Sequence, residues 1–229
     1  MTPELKISLQ LYGNYNESSF DLGERTISSF SRSKGGSALA VKSLGEHWSV
    51  GGYGNAFSST YSNLKFDASL SPALEYNLFP YSQSTRRQFR FLYKAGSKHR
   101  RYEETTIHGK DTETLFEESL TLSLESKQPW GTVETALEGS HYFHDFAKNR
   151  LELFGQLSLQ LFKGVSLELY GSFSLIHDQL SLPQGGATPE EILLRRKQLA
   201  TQYNYFGSLG LSYTFGSIYN NVVNPRFGN

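Results

Sequence analysis

The 229-residue chain has no cysteine, no net charge at pH 7 and no long run of apolar residues. The absence of cysteine excludes disulfide bonds, zinc–thiolate sites and catalysis by a thiol. A neutral chain gives no electrostatic reason to bind nucleic acid, and no segment approaches the roughly 18 apolar residues of a membrane helix. A membrane β-barrel stays compatible with these absences, because its strands need apolar residues only at alternate positions.

The segment 150–176 carries the clearest pattern in the chain. Leucines occupy alternate positions from Leu151 to Leu161, with mostly polar residues between them, and the pattern restarts after Lys163-Gly164. Successive side chains of a strand point to opposite faces, so the pattern predicts a hairpin with one apolar and one polar face. Its strands have about the 9–11 residues that a tilted strand needs to cross a bilayer.

Similar alternation elsewhere predicts an all-β, antiparallel, up-and-down transmembrane β-barrel of about ten strands. The strands are expected at 6–16, 26–42, 48–59, 63–75, 88–98, 114–125, 132–142, the two arms of the hairpin 150–176, and 203–215. Residues 1–215 would form the barrel as one domain, and residues 216–229 a C-terminal periplasmic tail. No signal peptide precedes the first strand, so we expect a mature chain or a fragment.

The connections between strands also follow a membrane-barrel pattern. They are tight after the second, sixth and eighth strands and long and polar after the first, fifth and ninth, which is typical of periplasmic turns and external loops. In the last long loop, Thr188, Pro189 and Glu191 form a capping box with proline at the first helical position. We expect one short amphipathic helix there on the barrel rim, acting as a structural cap or as a lid.

Alternation alone does not distinguish a membrane barrel from a soluble carrier barrel, whose apolar face points inward. Aromatic residues at one level of the barrel favour the membrane, as an interfacial girdle made of Trp48, Phe79, Tyr81, Trp130 and Phe215. The last strand also resembles the signal read by the bacterial outer-membrane assembly machinery, in Ser208, Gly210, Tyr213 and Phe215. We therefore expect the bacterial outer membrane as location, with its lipids and its assembly machinery as partners.

Several longer stretches resemble one family. HWSVG (47–51), EYNLFPYSQSTRR (75–87), QPWG (128–131), ATPEEI (187–192), RKQLAT (196–201) and FGSIYNNVVNPRF (215–227) are similar to a group of uncharacterised bacterial outer-membrane β-barrel proteins. The resemblance implies location and fold but no particular activity. Members of that group are longer at the N-terminus, which implies that this chain is shortened and that a full-length barrel would have about twelve strands.

The polar face is expected to line the barrel with opposite charges on opposite walls. The candidates are Lys65, Asp67, Arg90 and Lys94 on strands four and five, and Glu134, Glu138, Glu152 and Glu168 on strands seven to nine. Charges in a narrow interior need partners, which favours a closed, salt-bridged lumen. The alternative is a porin-like, charge-lined solute path. No cofactor and no metal are expected.

Two groups near the external rim suggest other roles. His141, His144 and Asp145 are the catalytic candidates of a rim-active hydrolase, a protease or lipid hydrolase, with histidine as base and aspartate orienting it. No serine motif accompanies them, and an aromatic interfacial loop explains them equally. The basic run Lys98–Arg101 is expected to meet lipopolysaccharide phosphates. The leading expectation is a structural, binding or narrow-transport barrel, with the hydrolase as alternative.

Overall fold

The computed structural model of the chain describes residues 5–21, 26–186, 188, 191, 194 and 197–214. These residues form one antiparallel sheet of ten strands, in which each strand pairs with the next along the chain. The strands are β1 (Leu5–Asp21), β2 (Thr26–Ser43), β3 (Trp48–Ser59), β4 (Leu64–Asn77), β5 (Arg87–Tyr102), β6 (Thr112–Gln128), β7 (Gly131–Tyr142), β8 (Asp145–Phe162), β9 (Val165–Ile176) and β10 (Tyr203–Tyr213). A short 3₁₀ helix, Tyr81–Gln83, lies between β4 and β5.

The predicted all-β, up-and-down architecture of ten strands is confirmed. The strand ends differ mostly at the loop end of the sheet, where β5 continues to Tyr102 and β8 already begins at Asp145. Polar residues pair there as hairpin extensions beyond the apolar alternation, so the sequence pattern underestimates their length. Within the described ranges, no helix has the length and apolarity that crossing a membrane requires.

The predicted tail, 216–229, and Phe215 lie outside the described residues, and so does most of the predicted helix in the last loop. The capping box itself is present. The Thr188 hydroxyl accepts a hydrogen bond from the Glu191 backbone N–H at 3.2 Å, and the Glu191 carboxylate accepts one from the Thr188 N–H at 2.9 Å. This reciprocal pair satisfies two backbone donors, as expected at the start of a helix.

The hairpin of β8 and β9 turns at Lys163-Gly164, as its sequence predicts. Gly164 has a φ of 86°, in the left-handed region that glycine adopts without strain. A Cβ at this position would lie 2.4 Å from the carbonyl oxygen of Thr214, next to the end of β10. Glycine therefore permits both the tight turn and the close approach of the neighbouring chain.

The register divides the sheet into two faces of different chemistry. Residues directly opposite each other on neighbouring strands share a face, and one face carries an apolar residue or glycine at most positions. On β4 this face is formed by Phe66, Ala68, Leu70, Pro72, Leu74 and Tyr76. On β8 to β10 it includes every leucine of the alternating pattern, with Tyr203, Tyr205 and Tyr213 at the ends of β10. We call this the apolar face and the opposite one the polar face.

The sheet curves so that the polar face lies on the inside. The Lys94 ammonium group on β5 lies 3.3 Å from a carboxylate oxygen of Glu138 on β7, and 5.7 Å from the ring centre of Tyr53 on β3. One cavity on this face is also lined by residues from six consecutive strands, β3 to β8, which requires a concave face. The apolar face is consequently the convex, outer one.

The curved sheet has two free edges in the described part of the chain. There β1 pairs only with β2, and β10 pairs only with β9. The outer-face side chains of the edge strands are widely exposed, with Leu11 85 % and Leu209 72 % exposed. These edge strands are 17 and 11 residues long, and each has a neighbouring strand on one side only among the described residues.

Candidate functional site

The polar face encloses a cavity of about 280 Å³ towards the loop end of the sheet. Its charged lining on the polar face comes from four strands, β5 to β8, and from the loop after β9, in Lys94, Lys98, Glu117, Glu138, Arg150 and Asp178. Serine, asparagine and tyrosine side chains of β3, β4 and β7 complete the wall. The site is polar throughout, so it offers hydrogen bonds and charge rather than an apolar pocket.

The charges that line or border this cavity are paired with each other. Lys98 lies 2.8 Å from Glu117, and Arg100 lies 2.7 Å from Asp67. Arg150 lies 2.9 Å from Asp178 in the last loop and 3.1 Å from Glu152 on its own strand. Because each cation contacts a carboxylate, the interior compensates its own charge.

The predicted lumen residues divide into three groups. The structure brings Lys94 to Glu138, as the opposite-wall hypothesis requires, and gives Asp67 and Glu152 arginine partners that the hypothesis did not name. Three others lie on the polar face away from these pairs. Arg90 has a buried Nε with no hydrogen-bond partner, Glu134 lies opposite Glu125, and Glu168 lies opposite Ser158 and Gly210.

Lys65 lies elsewhere. It occupies an irregularity between Leu64, which pairs with Tyr102, and Phe66, which pairs with Arg101. Its side chain is exposed and borders a groove on the apolar face, together with Lys34 and Phe66. A bulge shifts the alternation by one residue, which is why reading every second position placed Lys65 inside.

The loop after β9 closes the cavity at its loop end. Leu180 and Leu182 are buried, and Leu180 packs with Leu115 and Tyr142. The loop also pairs with the β5–β6 connection, because Ile107 donates its N–H to the Leu182 carbonyl at 2.8 Å. We call residues 177–186 the loop cap. It adds an apolar lid over the charged interior.

Asn63 ties three loops together under this cap. Its backbone is left-handed, with a φ of 58°, in the turn between β3 and β4. The side-chain Nδ2 donates to the carbonyl oxygens of Glu104 and Ser181, each at 2.9 Å, and Oδ1 accepts from the Glu104 N–H at 2.8 Å. Asparagine tolerates this backbone region better than other non-glycine residues, so one residue serves both the turn and the loop contacts.

Lys197 links the distal part of the same loop to the rim. Its ammonium group lies 3.0 Å from Glu104 and 3.4 Å from Glu191. Desolvation alone would lower the pKa of Lys197, but its bonds to these two carboxylates outweigh that effect and raise the pKa. The backbone hydrogen bond from Thr188, followed by the contact with Lys197, lowers the pKa of Glu191. Both groups are thus stabilised in their charged forms.

The four predicted girdle residues that the structure describes lie at the turn end of the sheet, and Phe215 is outside the described residues. Trp48 is exposed on the apolar face and packs against Tyr76, with ring centres 4.8 Å apart. Trp130 and Tyr81 are exposed in their turns, and the Arg87 guanidinium lies 4.3 Å from the ring centre of Phe79. Tyr76 also neighbours Phe91, which sequence reasoning did not include.

The rim candidates do not converge as a catalytic group. His141 contacts Glu118 through Nε2 at 2.8 Å on the outer face, where Tyr93 also donates a hydrogen bond to Glu118. Asp145 instead accepts a hydrogen bond from the Ala147 N–H at the start of β8. His144 packs against the ring of Tyr142. Among the described residues, no group of three His, Asp or Glu side chains is arranged to hold a metal.

The basic run Lys98–Arg101 is divided between the two faces. Lys98 and Arg100 point inward to Glu117 and Asp67, whereas His99 and Arg101 are exposed on the outer face. Alternation along a strand makes this division unavoidable. Of this run, only the two outward residues are available to a phosphate on the outer face of the sheet.

The described part of the predicted assembly signal, Ser208, Gly210 and Tyr213, lies on the edge strand β10. Ser208 and Gly210 are on the polar face, opposite Tyr170 and Glu168, and Tyr213 is on the apolar face. Phe154, Tyr170 and Phe206 form a ladder of rings across β8 to β10 on the inner side, with centres 5.4 and 5.7 Å apart.

Comparison with known proteins adds no further assignment to this geometry. No family model matches the chain, and no curated protein and no solved structure is significantly similar to it.

Proposed function

We propose that this protein is an integral β-barrel of the bacterial outer membrane, with lipid on its apolar face and a charge-paired, capped interior, in a structural or binding role. The observation that carries the proposal is the outward orientation of the apolar face. Leu70, in the middle of β4 and far from either free edge, is 65 % exposed. A soluble carrier barrel would bury such residues around its ligand.

The height of the apolar face supports a membrane environment. Phe66 and Tyr76 lie ten residues apart on β4, with only apolar outer-face residues between them. At a rise of roughly 3.3 Å per residue and a tilt of about 40°, this interval spans about 25 Å, the height of the lipid-facing band of outer-membrane barrels. The aromatic residues thus stand where girdles are expected.

The proposed role requires the edges of β1 and β10 to be paired in the membrane. An unpaired backbone group in hydrocarbon costs several kcal/mol, so open sheet edges do not face lipid. The up-and-down order of ten strands suits closure into a barrel.

Insertion and heat modifiability test the proposal. The chain should fold from urea into phosphatidylcholine vesicles, resist protease there, and migrate differently in gel electrophoresis before and after boiling. A chain that folds in buffer without detergent, and leaves vesicles on alkaline washing, would contradict it.

Narrow transport is the second candidate, and one observation favours it. Below the capped cavity, the polar-face groups Arg90, Glu134 and Glu168 continue the charged lining, and the buried Nε of Arg90 has no hydrogen-bond partner among the described residues. A planar bilayer recording separates the two roles. The closed interior predicts no discrete channels from the native chain, whereas charge-selective channels would place transport first.

A further inference from the structure

Four exposed cations lie together on the apolar face at its loop end. Arg32 and Lys34 are on β2, Lys65 is in the irregular part of β4, and Arg101 is on β5 opposite Phe66. Two adjoining grooves of about 500 and 600 Å³ connect Arg32, Lys34 and Lys65, since Lys34 borders both, and Arg101 lies opposite Phe66, which borders the larger groove. We call these four residues the outer basic patch.

The patch has no internal charge compensation. None of its four cations lies within ion-pair distance of a carboxylate in the described part of the chain. Two acidic residues are near: Glu103 borders one groove, and Glu17 accepts a hydrogen bond from Tyr15 at 2.5 Å. Four cations against two carboxylates leave an excess of positive charge.

The surroundings of the patch match the boundary between hydrocarbon and headgroups. The Arg32 guanidinium lies 5.0 Å from the ring centre of Phe30 and 5.6 Å from that of Tyr15, so aromatic rings hold it at the surface. The groove that Lys34 and Lys65 border is floored by Gly36 and Ala56 and continues onto apolar side chains. A soluble anion would satisfy the cations and leave this apolar surface uncovered.

We propose that Arg32, Lys34, Lys65 and Arg101 bind the phosphorylated headgroup of a membrane lipid whose acyl chains lie on the apolar face below. Lysine and arginine donate charge-assisted hydrogen bonds to phosphate oxygens. The chains of the same lipid cover the apolar groove. This inference rests on the proposed membrane function, because it requires lipid against the apolar face.

The test compares two variants that lose the same charge. One carries Arg32→Gln, Lys34→Gln, Lys65→Gln and Arg101→Gln. Its control carries Lys42→Gln, Arg86→Gln, Lys110→Gln and Lys163→Gln, which are exposed and lie outside the patch. Each protein is folded into phosphatidylcholine vesicles containing spin-labelled phosphatidic acid or spin-labelled phosphatidylcholine, and the motionally restricted lipid is measured.

The native chain should restrict phosphatidic acid in preference to phosphatidylcholine. In the patch variant this preference should be at least about fivefold smaller, and in the control variant it should be unchanged. An unchanged preference in the patch variant, or equal losses in both, would overturn the inference. A native chain that restricts neither lipid would refute the membrane function instead, so the two failures are distinguishable.

Discussion

Arg100 and Arg101 are neighbours in the chain, yet they meet opposite environments. Arg100 points inward, is 13 % exposed in its side chain and contacts Asp67, which is 10 % exposed. Arg101 points outward, is exposed, and has no carboxylate partner among the described residues. The same difference holds at the whole loop end of the sheet. Cations on the inner face are paired with carboxylates of the protein, whereas the four cations of the outer basic patch have no carboxylate within ion-pair distance among the described residues.

The two faces therefore use charge for different purposes. On the polar face, ion pairs across β4 to β8 and the loop cap hold a narrow interior together. On the outer face, the cations of the outer basic patch lie at the loop-end border of the apolar face. A buried charge is strongly destabilising without its partner, whereas an exposed one is not.

Removing an ion pair from the inner face should have the largest effect on the free energy of unfolding. Arg100→Gln leaves Asp67 buried without its partner and should lower the free energy of unfolding by about 3 kcal/mol. Arg101→Gln, one residue away, should change it by less than about 0.5 kcal/mol. Urea unfolding in vesicles, followed by tryptophan fluorescence, measures both. Equal losses would mean that the two faces are not different environments.

A charge introduced on the apolar face should lower the free energy of unfolding by nearly as much. Leu70→Arg puts a cation near the middle of the proposed lipid band and should destabilise the folded protein by about 2–4 kcal/mol in vesicles. Leu78→Arg, at an exposed position in the turn after β4, is the control and should have little effect. If the two substitutions cost the same, the apolar face does not contact hydrocarbon.

Substitutions in the loop after β9 test whether the loop cap closes the charged interior. Leu180→Ala removes a buried side chain over the charged cavity and should cost about 2 kcal/mol. Leu199→Ala, in the same loop but 45 % exposed, should cost much less. Bilayer recordings of both variants should show brief openings only for Leu180→Ala. Silence from both, with no loss of stability, would show that the cap does not close the interior.

The smallest effect concerns pH at the distal loop. Because the folded-state pKa of Glu191 is lowered, its contribution to stability is present above the ordinary carboxyl range and is lost as pH falls through the folded pKa. Because the folded-state pKa of Lys197 is raised, its contribution to stability is present at lower pH and is lost only as pH rises above the ordinary lysine range. The loop should therefore be most ordered between these limits.

A spin label at Ala200→Cys reports this order. Its mobility should rise on acidification, and this acid-induced rise should be much smaller in Glu191→Gln, because that variant has no carboxylate to protonate. The same rise in the variant as in the native sequence would show that another group controls the loop.

The alternating pattern of the sequence was sufficient to predict the number of strands and, apart from the irregular part of β4 at Lys65, their two faces. The bounds of β3 were predicted as the structure has them, and those of β7 to within one residue, since period-two alternation is a local property. The loop cap could not be predicted in the same way. Leu180, Leu182 and Thr106 are buried by contacts between distant loops, and no periodicity encodes such contacts.

The site was predicted only in part. Opposite charges on facing walls anticipated Lys94 with Glu138, because both follow the regular alternation. The bulge at Lys65 and the alternation within Lys98–Arg101 moved charges to the other face, and only the register of the sheet reveals this. The outer basic patch was missed because its members come from three strands far apart in sequence.

Single cysteines introduced one at a time along β4, from position 66 to 76, test whether the apolar face contacts lipid and the polar face lies inside. The chain has no cysteine, so each introduced thiol is the only site for a nitroxide label. In vesicles, even-numbered positions such as Leu70 should be accessible to oxygen dissolved in lipid. Odd-numbered ones such as Ser71 should be shielded from it. The opposite phase, or no alternation, would contradict an apolar outer face in lipid around a polar interior.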